Sequence, residues 1–108
     1  MYSEKFERPH RYVYIPPGGS AVVFSMKVPR NMTAFIEQIA NTIYRDTYYI
    51  LRIDGKEEKV ERAYGTLDNP YKLSPPILAK KSIEMIGYNN SNYGHIFECV
   101  IDGQIIEG

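Results

Sequence analysis

Residues 20–55, SAVVFSMKVPRNMTAFIEQIANTIYRDTYYILRIDG, decide the fold class of this chain. The run begins with β-branched and aromatic residues and breaks at Pro29, which cannot donate a hydrogen bond to a strand ladder. It ends in residues 47–54, where alternate residues belong to opposite faces of a strand. Asp54-Gly55 then supplies the left-handed residues that a tight hairpin needs. Strands separated by turn signals predict an antiparallel β-structure.

Residues 33–43 in the middle of this run fit two structures. Ile36, Ile39, Ala40 and Ile43 have the i, i+3, i+4, i+7 spacing of an amphipathic helix. The β-rich surroundings favour a strand instead, with a bulge around residues 40–41. We favour the strand and keep one short helix as the alternative.

The remaining sequence predicts further short strands. They fall at residues 10–15, 57–62, 77–79, 81–88, 95–102 and 104–107. Residues 64–76 contain Gly, Asp-Asn-Pro and Pro-Pro and indicate a loop. The tripeptide Ile53-Asp54-Gly55 recurs as Ile101-Asp102-Gly103, which predicts a second turn of the same chemistry.

Seven or eight short strands with regular turn signals predict an all-β fold. The architecture expected is an antiparallel two-sheet sandwich, with jelly-roll connectivity preferred. A chain of 108 residues is one domain, because halves of it would be too small to stabilise themselves. We divide it into an extended N-terminal arm, residues 1–11, and a β-sandwich, residues 12–108.

Composition excludes several classes of function. Thirteen basic residues balance thirteen acidic ones, which argues against a nucleic-acid binder with its basic stripe. The N-terminus lacks the apolar run of a signal peptide, and no run reaches the length of a membrane span. Ten tyrosines and no tryptophan suit half-exposed sheets and protein interfaces, although the β-propensity of Tyr is the plainer explanation.

The residues that usually carry catalysis or metal binding are scarce. His10 and His95 are the only histidines, too few for the clustered His and carboxylate ligands of a cupin metal site. Cys99 is the single cysteine, and we expect it in the core. His95 and Cys99 are four apart on a predicted strand, roughly 13 Å along it, too far for direct pairing. The sequence therefore predicts no catalytic residue, no cofactor and no metal site.

The order of three segments resembles small jelly-roll accessory proteins of tailed-phage virions. These segments are VVFSMKVPRNMTAFIEQIAN at 22–41, TYYILRIDG at 47–55 and LSPPILAKKSIEMIGYNNS at 73–91. The likeness covers roughly residues 12–106 and consists of strand and turn order. It implies a non-enzymatic capsid or tail component, such as a decoration, cement or adaptor protein, located in the virion after synthesis in the host cytoplasm. It carries no functional residue.

We therefore expect a structural virion protein that binds neighbouring subunits. Its expected partners are other virion proteins and copies of itself in a symmetric homo-oligomer, with no nucleic acid and no membrane. Aromatic side chains dominate interface energetics, so Tyr2, Phe6 and Tyr12 in and beside the arm are the predicted anchors. The alternative is a carbohydrate- or receptor-binding β-sandwich module that uses exposed tyrosines.

Overall fold

The computed structural model describes residues 3–7, 11–61 and 65–107. Within these ranges every regular element is a β-strand. The nine strands are β1 (Ser3–Glu7), β2 (Arg11–Ile15), β3 (Ser20–Lys27), β4 (Met32–Asn41), β5 (Thr47–Ile53), β6 (Lys56–Glu61), β7 (Tyr71–Ala79), β8 (Ser82–Asn89) and β9 (His95–Glu107).

The strands form two antiparallel sheets with jelly-roll connectivity. Sheet A has the order β2-β9-β4-β7, and sheet B has the order β3-β8-β5-β6. Strand β1 adds to sheet A along the same edge of β9 as β2, because β4 occupies the other edge. The eight strands β2–β9 therefore give the two four-stranded sheets of a jelly roll. The predicted all-β sandwich is confirmed.

The core lies between the sheets and takes the inward-facing residues of both. The predicted alternation along β5 is confirmed, and the structure places Tyr49, Leu51 and Ile53 on the inward face. Cys99 is buried among apolar side chains, and burial raises the pKa of its thiol. The Tyr49 ring is fully buried, and its hydroxyl and that of Thr42 share a hydrogen bond of 2.8 Å. Burial raises the pKa of Tyr49, although the bond to Thr42 opposes the shift.

Residues 32–41 form a strand, so the helical alternative is wrong. The bulge lies at Glu37, between Ile36 and Gln38, and not at residues 40–41. One extra residue reverses the alternation, which places both Ile36 and Ile39 in the core. Two inward residues three apart reproduce the spacing of a helix, which is why the pattern was ambiguous.

The segment predicted as a loop, residues 64–76, is partly strand. Strand β7 begins at Tyr71 and continues through Pro75 and Pro76. These prolines are tolerated because β7 is an edge strand and its pairing with β4 is interrupted between Lys72 and Ile77. The Ser74-Pro75 bond is cis.

The two Ile-Asp-Gly segments have different structures. Asp54 and Gly55 form the predicted hairpin turn, with φ values of 53° and 84°. Asp102 and Gly103 lie inside β9, so the second predicted turn is wrong. Strand β9 pairs through this point with β4 on one side and β1 on the other, and both ladders keep it extended.

The N-terminal segment is attached to the sandwich over part of its length. Residues 3–7 form β1 and pair antiparallel with residues 102–106 of β9 in the same chain. Phe6 is registered against Gly103. Tyr2 and His10 lie outside the described residues. Contact of an arm with a neighbouring subunit stays a prediction.

Among the described residues no helix has the length and apolar character needed to cross a membrane.

Candidate functional site

The outer surface of sheet A carries exposed aromatic and apolar side chains where β2 pairs with β9. Tyr12, Tyr14 and Ile96 are 70%, 63% and 51% exposed. Tyr14 is registered opposite Ile96, and Tyr12 opposite Glu98. Alternation along each strand brings these residues to one side of the sheet. We name the group of Tyr12, Tyr14 and Ile96 the tyrosine face.

Both tyrosines of this face are held by specific contacts. A side-chain hydrogen bond to Glu98, and the charge of that carboxylate, raise the pKa of the Tyr12 hydroxyl. Tyr14 packs against Gly94, where a Cβ atom would collide with the Tyr14 hydroxyl. The lack of a side chain at Gly94 therefore makes room for the Tyr14 ring. Large exposed rings in fixed positions lose little entropy on binding, which suits a contact surface.

The aromatic and charged side chains on the outer surface of sheet B contact one another. Tyr48 and Tyr88 stack on each other, with ring centroids 4.7 Å apart and planes 3° from parallel. Arg52 lies 3.8 Å from a carboxylate oxygen of both Glu57 and Glu84. Its aromatic and charged groups are therefore half-covered by one another, whereas the tyrosine face is open.

A pocket lies near the tyrosine face, between the loop joining β4 to β5 and the loop joining β8 to β9. It encloses about 480 Å³ and is lined by Arg45, Asp46, Ser91, Asn92, Tyr93 and His95. We name it the loop pocket. The two loops are joined directly, because the Asn90 amide donates to the Asp46 carbonyl at 2.9 Å.

The wall formed by residues 90–94 is wound around one buried side chain, that of Asn89. Its amide nitrogen donates to the carbonyls of Ile15 and Tyr93, at 2.9 and 2.8 Å. Its amide oxygen accepts from the Ser91 amide and hydroxyl, at 3.0 and 2.6 Å. All of its hydrogen bonds serve the backbone or this loop, so Asn89 gives the wall a fixed shape.

Two of the residues that line the loop pocket, His95 and Tyr93, carry rings. The His95 ring stacks on Tyr44, with centroids 4.1 Å apart and planes 11° from parallel. The Tyr44 hydroxyl donates to the Ile96 carbonyl at 3.0 Å, and the Tyr44 carbonyl accepts from Thr47 at 2.8 Å. Tyr93 stands at the rim and is 74% exposed. The pocket thus combines aromatic rings with polar side chains.

These surfaces offer binding chemistry. Among the described residues there is no group of three or more His, Cys, Asp or Glu side chains that could hold a metal ion. His95 lines the loop pocket, whereas Cys99, on the same strand, is buried in the hydrophobic core. The tyrosine face can bury apolar area, and the loop pocket can hold a small polar ligand.

Of the three predicted anchors, Tyr12 is on the exposed surface. The backbone of Phe6 is in β1 and Tyr2 lies outside the described residues, so a shared surface of the three anchors stays a prediction. Sequence reasoning missed Tyr14, Ile96 and the loop pocket. The alternation of RYVYI at 11–15 already puts Tyr12 and Tyr14 on one face, a signal that could have identified Tyr14. The pocket joins residues about 45 positions apart, which no local pattern indicates.

Comparison with known proteins gives no family assignment. No protein-family model and no curated protein sequence matches this chain.

Proposed function

We propose that this chain is a non-enzymatic structural protein of a tailed-phage virion that binds neighbouring subunits through the tyrosine face. The observation that carries the proposal is the set of three exposed large side chains, Tyr12, Tyr14 and Ile96, on one side of sheet A. Exposed apolar groups clustered on one face are typical of protein contact sites.

Two further observations support this role. The jelly roll is the fold that the resemblance to virion accessory proteins implied, and it also occurs in viral capsid domains. The net charge is zero, which leaves electrostatic repulsion between copies small. The proposed partners are copies of this chain and other virion proteins, with neither nucleic acid nor membrane involved.

The energy of such an interface would come from the aromatic anchors. Truncating a buried aromatic side chain at the centre of an interface to alanine costs about 2 kcal/mol or more of binding free energy. Tyr14 is the best candidate for this position, because Gly94 supports its ring and Ile96 lies beside it. Tyr12 carries a buried carboxylate as its neighbour and adds a polar contact.

Sedimentation velocity of the purified chain tests the proposal. We expect the wild type to form a closed oligomer at micromolar concentration, and the double variant Tyr14→Ser/Ile96→Ser to dissociate into monomers. Tyr71→Ser, which alters an exposed tyrosine on β7, is the matched control and should leave the oligomer intact. A wild type that stays monomeric at every concentration, or equal dissociation in the control, would reject the tyrosine face as an interface between copies.

The second candidate function is recognition of a carbohydrate. The loop pocket favours it, because aromatic rings and unengaged polar groups meet there. This candidate uses a different surface from the tyrosine face.

A further inference from the structure

We infer that the loop pocket is a binding site for a neutral saccharide. The inference rests on the second candidate function and specifies its ligand class; it concerns residues outside the tyrosine face and does not depend on the structural role proposed above. Three properties of the pocket support it: polar side chains without a partner in the described residues, a balanced charge, and aromatic rings in the lining.

Three polar side chains of the pocket have no partner within the described chain. Arg45, Asp46 and Asn92 form no side-chain hydrogen bond or ion pair with any residue in the described ranges, although Asp46 and Arg45 are adjacent in sequence. Together they offer guanidinium donors, carboxylate acceptors and an amide that does both. A ring with several hydroxyl groups can satisfy all three, because each hydroxyl both donates and accepts.

The charge of the pocket selects among ligands. Among the described residues that line the cavity, one arginine and one aspartate balance, and there is no lysine or second arginine. A phosphate or nucleotide would need an excess of positive charge or a backbone cradle, and the Asp46 carboxylate would repel it. A neutral polyhydroxylated ligand meets no such repulsion.

The aromatic surfaces suit the apolar face of a sugar ring. His95 is fixed by its stack on Tyr44, and Tyr93 projects from the rim. The C–H groups on one face of a pyranose can pack against such rings while its hydroxyls contact the polar side chains. The volume of about 480 Å³ lies within the range of small-ligand sites.

The pocket is also built in advance of any ligand. Asn89 fixes residues 91 and 93, and the Asn90–Asp46 backbone bond fixes the distance between the two loops. Asp46 has φ of 58°, a left-handed conformation that is stable here because Asp tolerates it. A preorganised site loses less conformational entropy on binding.

Titration followed by NMR tests the inference, with methyl glycosides of hexoses and N-acetylhexosamines and their disaccharides as probes. We expect at least one probe to shift the signals of residues 45–46 and 91–95 at millimolar concentration. Asp46→Asn keeps the left-handed backbone and Tyr93→Ala removes a ring, and each should weaken binding by about tenfold or more. Tyr12→Ala, outside the pocket, is the control and should bind as the wild type does.

Two outcomes would overturn the inference. One is the absence of shifts in these loops with every saccharide probe. The other is a response to inorganic phosphate that exceeds the response to all saccharides. Tyr12→Ala is expected to affect oligomers and not sugar binding, whereas Tyr93→Ala is expected to affect sugar binding and not oligomers. The two variants therefore distinguish failure of the saccharide site from failure of the tyrosine face as an interface.

Discussion

Ile-Asp-Gly occurs at residues 53–55 and again at 101–103, in two different environments. At the first site the registered pairing of β5 with β8 ends at Ile53 in the described residues, and Asp54 and Gly55 reverse the chain into β6. At the second site β4 and β1 pair with the chain on both sides, so it stays extended. The comparison shows that neighbouring strands, and not the tripeptide, choose between turn and strand.

Asp54 and Asp102, the aspartates of the two segments, also make different hydrogen bonds. The Asp54 carboxylate accepts hydrogen bonds from the backbone amides of Lys80, Lys81 and Ser82, at 2.6–3.1 Å, and ties the β5–β6 turn to the β7–β8 turn. The Asp102 carboxylate accepts one bond of 2.7 Å from Gln38. Its other oxygen is buried and has no hydrogen-bond partner in the described residues.

The largest expected difference between the two sites comes from proline. Gly103→Pro should lower the free energy of unfolding by more than about 3 kcal/mol, because the ring removes an amide donor from a strand paired on both sides. Urea denaturation measures the change. If Gly103→Pro lowers the free energy of unfolding by less than Gly55→Ala does, pairing on both sides is not what keeps residues 101–103 extended.

Exchanging each aspartate for asparagine compares the two carboxylates directly. Asp54→Asn should cost roughly 1–2 kcal/mol, since three amides lose a charged acceptor. Asp102→Asn should change stability by less than about 0.5 kcal/mol or raise it, because a neutral amide is cheaper to bury than a carboxylate with an unpaired oxygen. Equal losses measured by urea denaturation would contradict this assignment of roles.

The pH dependence of stability sharpens the same contrast. Partial burial alone would raise the pKa of Asp54, but hydrogen bonds from the amides of Lys81, Ser82 and Lys80 outweigh it and lower the pKa below its usual value. The stability that the Asp54 carboxylate contributes is therefore complete above its unfolded-state pKa of about 4. It is lost as the pH falls through the lower folded-state pKa.

The measurement is urea denaturation of wild type and Asp54→Asn as the pH is lowered. The stability gap between them should be constant at neutral and mildly acidic pH and should shrink below about pH 4. A gap that widens on acidification would show that the folded-state pKa of Asp54 is raised, which is opposite to the expectation.

The smallest effects are expected at the glycine of the turn. Gly55 has φ of 84°, so Gly55→Ala should cost about 1 kcal/mol and Gly55→Asn only a few tenths, because Asn adopts left-handed conformations more readily. Open space surrounds position 55, so sterics do not enter. Thermal unfolding of the two variants gives the comparison, and a more stable Ala variant would contradict a left-handed requirement.

The sequence was sufficient for the fold class because alternation and turn residues agree along most of the chain. At residues 33–43 the favoured strand is confirmed, but the sequence left a helix open because the bulge at Glu37 places Ile36 and Ile39 on one face, which imitates a helix. It failed at residues 71–76 because prolines indicate a loop, whereas an edge strand accepts them. The ambiguity and the error both arise from long-range pairing that local patterns do not contain.

The candidate surfaces were predictable to different degrees. Tyr12 was predicted as an anchor from the sequence, and the alternation of residues 11–15 places Tyr14 on the same face. The loop pocket depends on the approach of residues 45–46 to residues 91–95, which the strand order brings together across sheet B. That approach follows from jelly-roll connectivity, and connectivity is not encoded in any single segment.

Site-specific photocrosslinking tests the central claim, that the tyrosine face binds a second copy of this chain, most directly. A benzophenone amino acid placed at position 14 should give a covalent dimer under illumination at micromolar concentration, with the crosslinked residue located by mass spectrometry. The same probe at position 71, another exposed tyrosine, should give little dimer. No dimer from position 14, or the same yield from both positions, would contradict the account.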